Sequence, residues 1–213
     1  MNEIFPNIYQ IFPSKQTPSK YRPFFVKRDE GNLLIPCFST NSTIEAHFDA
    51  IAELGGLSRQ LLGDSHFKSS HCDQVAERFN APVYCSEGEA PDVTPVVKQV
   101  MIFPFTRHLL EPQIEVIPTP GHRPGGVCYL ISMLEKQYLF VGDFIWHDGE
   151  KWIPTATKAN FRAYIESLHL LEGIAFDVLL ANSKISNPTY SVALNQETRK
   201  AFIADLLEQV NVS

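Results

Sequence analysis

Two short stretches carry the side chains of this chain that are best suited to chemistry. The first, TPGHRPGG at 119–126, places His122 in a turn rich in glycine and proline, and the second is Gly142-Asp143. An imidazole can bind a metal ion or accept a proton, and a carboxylate can bind the same ion. Turns of both kinds also commonly connect strands without any chemical role. The residues therefore indicate either a metal or general-base role for His122 and Asp143, or two structural turns.

A third stretch, GDSHFKSSHCD at 63–73, is rich in side chains that can bind a metal. Its ligand-type residues are Asp64, His66, His71, Cys72 and Asp73. With a helix that begins near Ser65, His66 and Asp73 would share a helix face. No two histidines here have the i, i+4 spacing, so a local hydrogen bond at a helix start is the alternative role for His66.

The elements around these stretches are predicted to hold them at the rim of a sheet. Apolar runs of strand length cover 114–117, 127–131 and 138–141, and His122 and Asp143 each follow one of these runs, with a turn at 135–137. The run at 60–62 precedes the third stretch, a helix then runs to Phe79, and a strand covers 81–85. Side chains in loops that follow strands are well placed for binding because the sheet fixes their position.

The rest of the chain is predicted to alternate strands, helices and loops. An edge strand is expected at 4–12, a hairpin at 24–28 and 32–35, and a helix from Ser42-Thr43 to Leu54. Loops with one or two short strands are expected at 86–113, and a loop at 144–152. A helix at 158–171, a strand at 176–180 and a last helix at 195–210 complete the chain. No repeat or linker is visible. We therefore predict one domain over 1–213.

Composition and charge exclude several classes of function. The 213 residues are 44% hydrophobic and 20% charged, which is typical of a globular protein. A net charge of −6 argues against a nucleic-acid partner. No apolar stretch approaches the roughly 20 residues of a membrane span, and no signal-like start is visible, so we expect a cytoplasmic protein with no membrane partner. The four cysteines form no Cys-x-x-Cys pair and are expected to be buried hydrophobes in a reducing compartment.

The order of these parts resembles the metallo-β-lactamase fold superfamily over about residues 1–185. The resemblance rests on the strand, loop and helix around 60–79, the turn at 119–126, Gly142-Asp143, and the strand at 177–180. It implies an α/β (α+β) fold, a four-layer αββα sandwich. It also implies a site of two metal ions, usually zinc and sometimes iron or manganese, whose hydroxide attacks a carbonyl or a phosphodiester.

The sequence departs from the ligand pattern of that superfamily. Its first motif is His-x-His-x-Asp-His, and aligning the end of this motif on Ser65-His66 puts Leu61 and Gly63 at the leading histidines and Ser65 at the aspartate. An alternative register puts Lys68 at the last histidine and keeps no ligand.

Ser183 stands where the final histidine is expected. At most three of the seven expected ligands then remain, namely His66, His122 and Asp143. Asp64, His71 or His147 could supply a substitute.

These departures lead to three hypotheses about function. In the first, most metal ligands are lost, no metal is bound, and the protein is a ligand-binding or scaffold protein and not a dinuclear metal hydrolase. In the second, a rearranged site for one zinc, iron or manganese ion hydrolyses a small ester, thioester or phosphodiester, with His122 and Asp143 as catalytic residues. The third is a metal-free nucleophilic enzyme, which would need Cys72 with His71, or Ser69 with Lys68.

Overall fold

The computed structural model of the chain describes residues 1–11, 21–38, 44–182 and 191–212. The chain forms two compact units, Met1–Pro104 and Phe105–Ser213. Each unit is built on one large sheet that carries helices, so the α/β prediction is confirmed. That 1–213 is one domain stays a prediction.

The first unit contains a seven-stranded sheet whose strand order follows the chain. Its strands are β1 (Asn2–Phe5), β2 (Ile8–Gln10), β3 (Phe24–Val26), β4 (Leu33–Ile35), β5 (Arg59–Leu61), β6 (Val83–Ser86) and β7 (Val100–Phe103). The strands β1 to β4 pair antiparallel, and β4 to β7 pair parallel. The parallel strands are joined through α1 (Phe48–Glu53), α2 (Ser70–Phe79) and α3 (Ala90–Val93), as parallel pairing requires a crossover.

The helices of the first unit cover one face of this sheet with apolar side chains. Phe25, Leu34 and Val83 of the sheet belong to the same buried cluster as Ile51 of α1 and Val75 of α2. The helix α2 ends at Asn80, which takes a left-handed conformation with φ of 55°. This packing anchors the segment between β5 and α2, in which Asp64 and His66 lie.

The second unit contains a six-stranded sheet and a small hairpin. In spatial order the sheet is β15 (Ser191–Ala193), β14 (Val178–Ala181), β11 (Lys136–Gly142), β10 (Val127–Met133), β9 (Ile114–Pro118) and β8 (His108–Glu111). The hairpin pairs β12 (Ile145–His147) with β13 (Trp152–Pro154). The helices α4 (Phe161–Glu172) and α5 (Gln196–Val212) share a buried apolar cluster with this sheet.

The pairing in the second sheet brings two turns to one edge. Val127 of β10 lies opposite Pro118 of β9, and Tyr129 of β10 lies opposite Phe140 of β11. The end of β9, the start of β10 and the end of β11 therefore meet at the same edge, where the turn at 119–126 and Asp143 emerge.

Four sequence predictions are corrected by the structure. The expected strand at 4–12 is the hairpin β1–β2, because the chain turns at Pro6-Asn7 with Asn7 at φ of 66°. The loop expected at 144–152 holds most of the hairpin β12–β13. The turn expected at 135–137 lies at Leu134 and Glu135, both at positive φ.

The fourth correction concerns the helix after β5. It begins at Ser70, not near Ser65, because Ser69 caps it by accepting a hydrogen bond from the amide of His71. His66 lies instead in a separate 3-10 turn at Ser65–Phe67. His66 and Asp73 therefore do not share a helix face. The expected cap at Ser42-Thr43 lies outside the described residues.

Within the described ranges, no helix combines the length and the apolar character needed to cross a membrane.

Candidate metal site

In the first unit, Asp64 and His66 form a local pair in the turn that follows β5. The Asp64 carboxylate is buried and accepts a hydrogen bond from the amide of His66 at 2.8 Å, which caps the 3-10 turn. The His66 ring is half exposed, and its Nδ1 lies 3.9 Å from Asp64 Oδ1. The same carboxylate thus shapes the turn and lies beside the imidazole.

Ser65, between these two residues, anchors the turn to the body of the first unit. Its amide donates to Oε2 of the buried Glu89 at 2.7 Å. The Lys68 ammonium donates to the Ser65 carbonyl at 2.9 Å. The sequence did not reveal Glu89, because nothing in the 86–113 segment distinguishes a buried carboxylate from a surface one.

The other ligand-type residues of this stretch have structural contacts. His71 Nδ1 lies 2.8 Å from Gln74 Oε1, and the ring contacts Phe38 edge-on. The Asp73 carboxylate accepts from the amide of Lys98 at 2.9 Å. Cys72 is fully buried, and this burial raises the pKa of its thiol to about 12. A thiolate nucleophile at Cys72 is therefore disfavoured at neutral pH.

In the second unit, the turn that carries His122 has a shape that only glycine permits at position 121. Gly121 has φ of +142°, and a Cβ there would lie 2.5 Å from the Cα of Tyr164 in α4. The turn is closed by Thr119 N–H donating to the Gly126 carbonyl at 2.9 Å. The Ser167 hydroxyl of α4 also donates to the Pro120 carbonyl at 2.8 Å. The turn is thus held directly against α4.

His122 is oriented by a backbone carbonyl and faces Asp143. Its Nδ1 lies 3.0 Å from the carbonyl oxygen of Thr155, which can only accept, so Nδ1 carries the hydrogen. Its Nε2 lies 3.6 Å from Oδ2 of Asp143. Both side chains are largely buried, with 16% and 10% of their surfaces exposed. Because 3.6 Å is too long for a hydrogen bond, the two atoms are juxtaposed without being bonded to each other.

Thr155 and Tyr164 connect the parts of this second pair. The Thr155 hydroxyl lies 2.6 Å from the carbonyl oxygen of Asp143 and 2.9 Å from that of Phe144, and donates to them. The Thr155 amide donates to the Tyr164 hydroxyl at 3.0 Å, and this hydroxyl donates to the Phe144 carbonyl. Complete burial raises the pKa of Tyr164, so its phenol stays neutral. Sequence reasoning missed both residues because their partners are backbone atoms distant in the chain.

His147, considered as a substitute ligand, belongs to the turn of the hairpin β12–β13. Its Nδ1 accepts from the amide of Gly149 at 3.1 Å, and its ring packs edge-on against Trp152. Asp148 accepts from the amides of Glu150 and Lys151 at 2.8 and 2.9 Å, and these bonds lower its pKa. This pair therefore builds a turn.

Four of the described residues are candidates for holding a metal ion, Asp64 and His66 in the first unit and His122 and Asp143 in the second. This group contains the three residues predicted as ligands, His66, His122 and Asp143. The fourth, Asp64, was one of the possible substitutes, whereas His71 and His147 are not in the group. The expectation that most ligands are lost is therefore not confirmed, and a degenerate site is not supported. Ser183 lies outside the described residues.

Comparisons with known proteins give structural matches only. No protein-family model matches this sequence, and no curated protein does. Among solved structures, the Rm3 metallo-β-lactamase aligns with a TM-score of 0.69 at 16% identity, covering 98% of this chain and 91% of that chain. An archaeal metallo-β-lactamase superfamily protein from Sulfolobus tokodaii has a TM-score of 0.69 at 15% identity, covering 95% and 85%. A Cronobacter sakazakii metallo-β-lactamase with a HARLDQ motif has a TM-score of 0.69 at 14% identity, covering 99% and 96%.

These alignments establish the architecture. The chain has the metallo-β-lactamase fold, as the order of its sequence elements predicted. At such low identity the likeness extends to the fold alone, so the chemistry has to be argued from the chain's own residues.

Proposed function

We propose that this protein is a metal-dependent hydrolase that holds one divalent ion through Asp64, His66, His122 and Asp143. The observation that carries the proposal is the juxtaposition of His122 Nε2 and Asp143 Oδ2 at 3.6 Å, with Nδ1 of His122 turned to the Thr155 carbonyl. Two ligands of a tetrahedral zinc ion, each bound at about 2.0–2.1 Å, lie roughly 3.3 Å apart. The pair therefore needs little movement to bind one ion.

The types of donor atom fit zinc, iron or manganese. Two imidazoles and two carboxylates form a mixed nitrogen and oxygen set, and no thiolate is included. The Thr155 carbonyl fixes the tautomer in which Nε2 of His122 carries the lone pair, a common arrangement for metal-binding histidines. Asp64 and Asp143 would offset the charge of a divalent ion.

An ion held by these four side chains would keep an open position for water only if it is five- or six-coordinate. Such an ion would lower the pKa of its water towards ~7 and polarise a carbonyl or phosphoryl oxygen. The chain's part is to hold His122 and Asp143 rigidly at the sheet edge and to keep both largely out of water. The Asp143 carboxylate would orient the attacking water and accept its proton. We propose a small ester, thioester or phosphodiester as the substrate, with no nucleic-acid or membrane partner.

A metal-free nucleophilic enzyme receives no support from the contacts of its candidate residues. The Cys72 thiol is buried with a pKa of about 12, and Ser69 caps α2. The Lys68 ammonium is bonded to the Ser65 carbonyl and not to Ser69.

A ligand-binding or scaffold function is the second candidate, and one observation favours it. Two of the positions at which the superfamily pattern expects ligands are used for packing and anchoring. Leu61 is a fully buried core residue, and Ser65 is buried and bonded to Glu89.

Activity assays with metal removal separate the two candidates. Untagged protein would be assayed on panels of small esters, thioesters and phosphodiesters, then again after chelation and after adding back zinc, iron(II) or manganese. We expect hydrolysis of one class that is lost with chelator, restored by metal, and absent in Asp143→Asn but present in His169→Ala, an exposed histidine of α4. Absence of hydrolysis in all panels, with and without metal, would favour a binding function.

A further inference from the structure

We infer that Thr155 is the positioning residue of the proposed site, since its carbonyl fixes the tautomer of His122 and its hydroxyl places Asp143 opposite Nε2. The effect of Thr155 on metal binding rests on the proposed function. The contacts from which its role is inferred all lie within the second unit. Thr155 lies between the hairpin β12–β13 and α4, and it contacts both ligating residues through its backbone and its hydroxyl.

The tautomer follows from what each partner can donate. A carbonyl oxygen has no hydrogen, so the 3.0 Å contact between His122 Nδ1 and the Thr155 carbonyl requires Nδ1–H. In the neutral ring, Nε2 then carries the lone pair and faces the Asp143 carboxylate at 3.6 Å. Without such a partner, the ring would be free to adopt the other tautomer and donate Nε2–H to the carboxylate.

The position of the Asp143 carboxylate follows from the hydrogen bond that the Thr155 hydroxyl makes. The Thr155 hydroxyl donates to the carbonyl of Asp143 at 2.6 Å, which fixes the backbone from which the carboxylate extends. A single residue thus sets the position of both ligating side chains. Any shift of Thr155 would change the distance between them.

Thr155 is itself fixed by the interior of the second unit. Its amide donates to the hydroxyl of Tyr164, whose ring is fully buried and stacks on Phe144 at 4.2 Å. The next threonine, Thr157, donates from its hydroxyl to the carbonyl of Gly121 at 3.2 Å, which ties the same segment to the turn of His122. The segment is therefore held by contacts that do not involve a metal.

The first test is the tautomer of His122 in metal-free protein, read from long-range nitrogen–proton NMR correlations. At about pH 9, well above the ordinary histidine pKa of about 6.5, we expect the Nδ1–H pattern in the wild type and in Thr155→Ser. Thr155→Val also keeps the carbonyl and loses only the hydroxyl, so we expect the same Nδ1–H pattern there. An Nε2–H pattern or a doubly protonated ring in the wild type would overturn the inference, whether or not the protein binds metal.

The second test is metal affinity, measured by competition with a zinc-chelating dye. Removing a group that orients a metal ligand typically weakens binding about 10- to 100-fold. We expect a loss in that range for Thr155→Val and almost none for Thr155→Ser. Thr94→Val is the matched control, because the Thr94 hydroxyl also donates to a backbone carbonyl, that of Ala90 in the first unit.

The two tests keep this inference separate from the proposed function. The Nδ1–H tautomer in a wild type that binds no metal would contradict the proposed function and leave the positioning role of Thr155 intact. Metal binding that is equally strong in the wild type and in Thr155→Val would contradict the positioning role of the Thr155 hydroxyl and leave the proposed function intact.

Discussion

The two candidate ligand pairs of this protein are held in different ways. Asp64 and His66 are two positions apart, and the carboxylate is bonded to the amide of its own partner, while the ring of His66 is half exposed. His122 and Asp143 are distant in the chain, largely buried, and joined through Thr155. The first pair is shaped by a local turn and the second by tertiary contacts. We therefore expect the second pair to dominate both stability and metal affinity.

The largest effect is expected from Gly121→Ala, which alters the turn that carries His122 of the second pair. The new Cβ would collide with the backbone of Tyr164 at 2.5 Å, and φ is +142°. A clash of this kind together with a strained conformation should lower the free energy of unfolding by about 3 kcal/mol or more. Gly173→Ala is the control, because its Cβ would approach nothing closer than 3.5 Å. Denaturant unfolding that is alike in the two variants would refute this packing argument.

Removing the two histidines one at a time compares the pairs directly. His122→Ala deletes the buried, oriented ring, so we expect metal affinity to fall by more than the roughly 100-fold typical of lost orienting groups. His66→Ala removes a half-exposed ring, and we expect a loss of about 10-fold. Isothermal titration with zinc, with His169→Ala as control, measures both. Equal losses would show that burial does not distinguish the pairs.

Glu89 tests how far the first pair depends on tertiary contacts. Glu89→Ala leaves the buried amide of Ser65 without this acceptor, and a lost partner of this kind costs about 1–3 kcal/mol of unfolding free energy. Glu89→Gln retains an acceptor oxygen and should cost less. Thermal and denaturant unfolding of the two variants give the comparison. If Glu89→Ala is as stable as the wild type, the turn of Asp64 and His66 is held by its local bonds alone.

The smallest effect is expected at Asp148, in the hairpin next to the second pair. Its amide hydrogen bonds lower its pKa in the folded protein, so its contribution is present above the ordinary pKa of about 3.9 and is lost as the pH falls through the lower folded value. Asp148→Asn should therefore be slightly less stable than the wild type at neutral pH, and the gap should close below about pH 4. A gap that stays constant from pH 7 to pH 3 would contradict this.

The sequence predicted those parts of the fold that depend on local patterns. The strand before Asp143 contains the continuous apolar run 138–141, and the strand before His122 is apolar apart from Glu115. The hairpin β3–β4 is marked by Asp29-Glu30-Gly31. The hairpins β1–β2 and β12–β13 were missed because the residues around their turns show no clear alternation of apolar and polar side chains.

In the candidate site, too, the sequence predicted what depends on local patterns and not what depends on tertiary contacts. His122 and Asp143 were predicted from residue type and from their place after strands, and His66 from the resemblance to the superfamily. All three belong to the group of possible ligands. Asp64 was only an alternative, because it stands at a variable position of the superfamily pattern, where no ligand is expected. Thr155 could not be found, since its role depends on a carbonyl that every residue has and on contacts that only the folded chain creates.

The most direct test of the account is the metal content of the protein, determined by elemental analysis after purification without a histidine tag or added metal. Four protein ligands predict about one equivalent of zinc, iron or manganese per chain, absent from His122→Ala and retained in His169→Ala. No bound metal in the wild type, together with no rise in melting temperature when metals are added, would contradict the account.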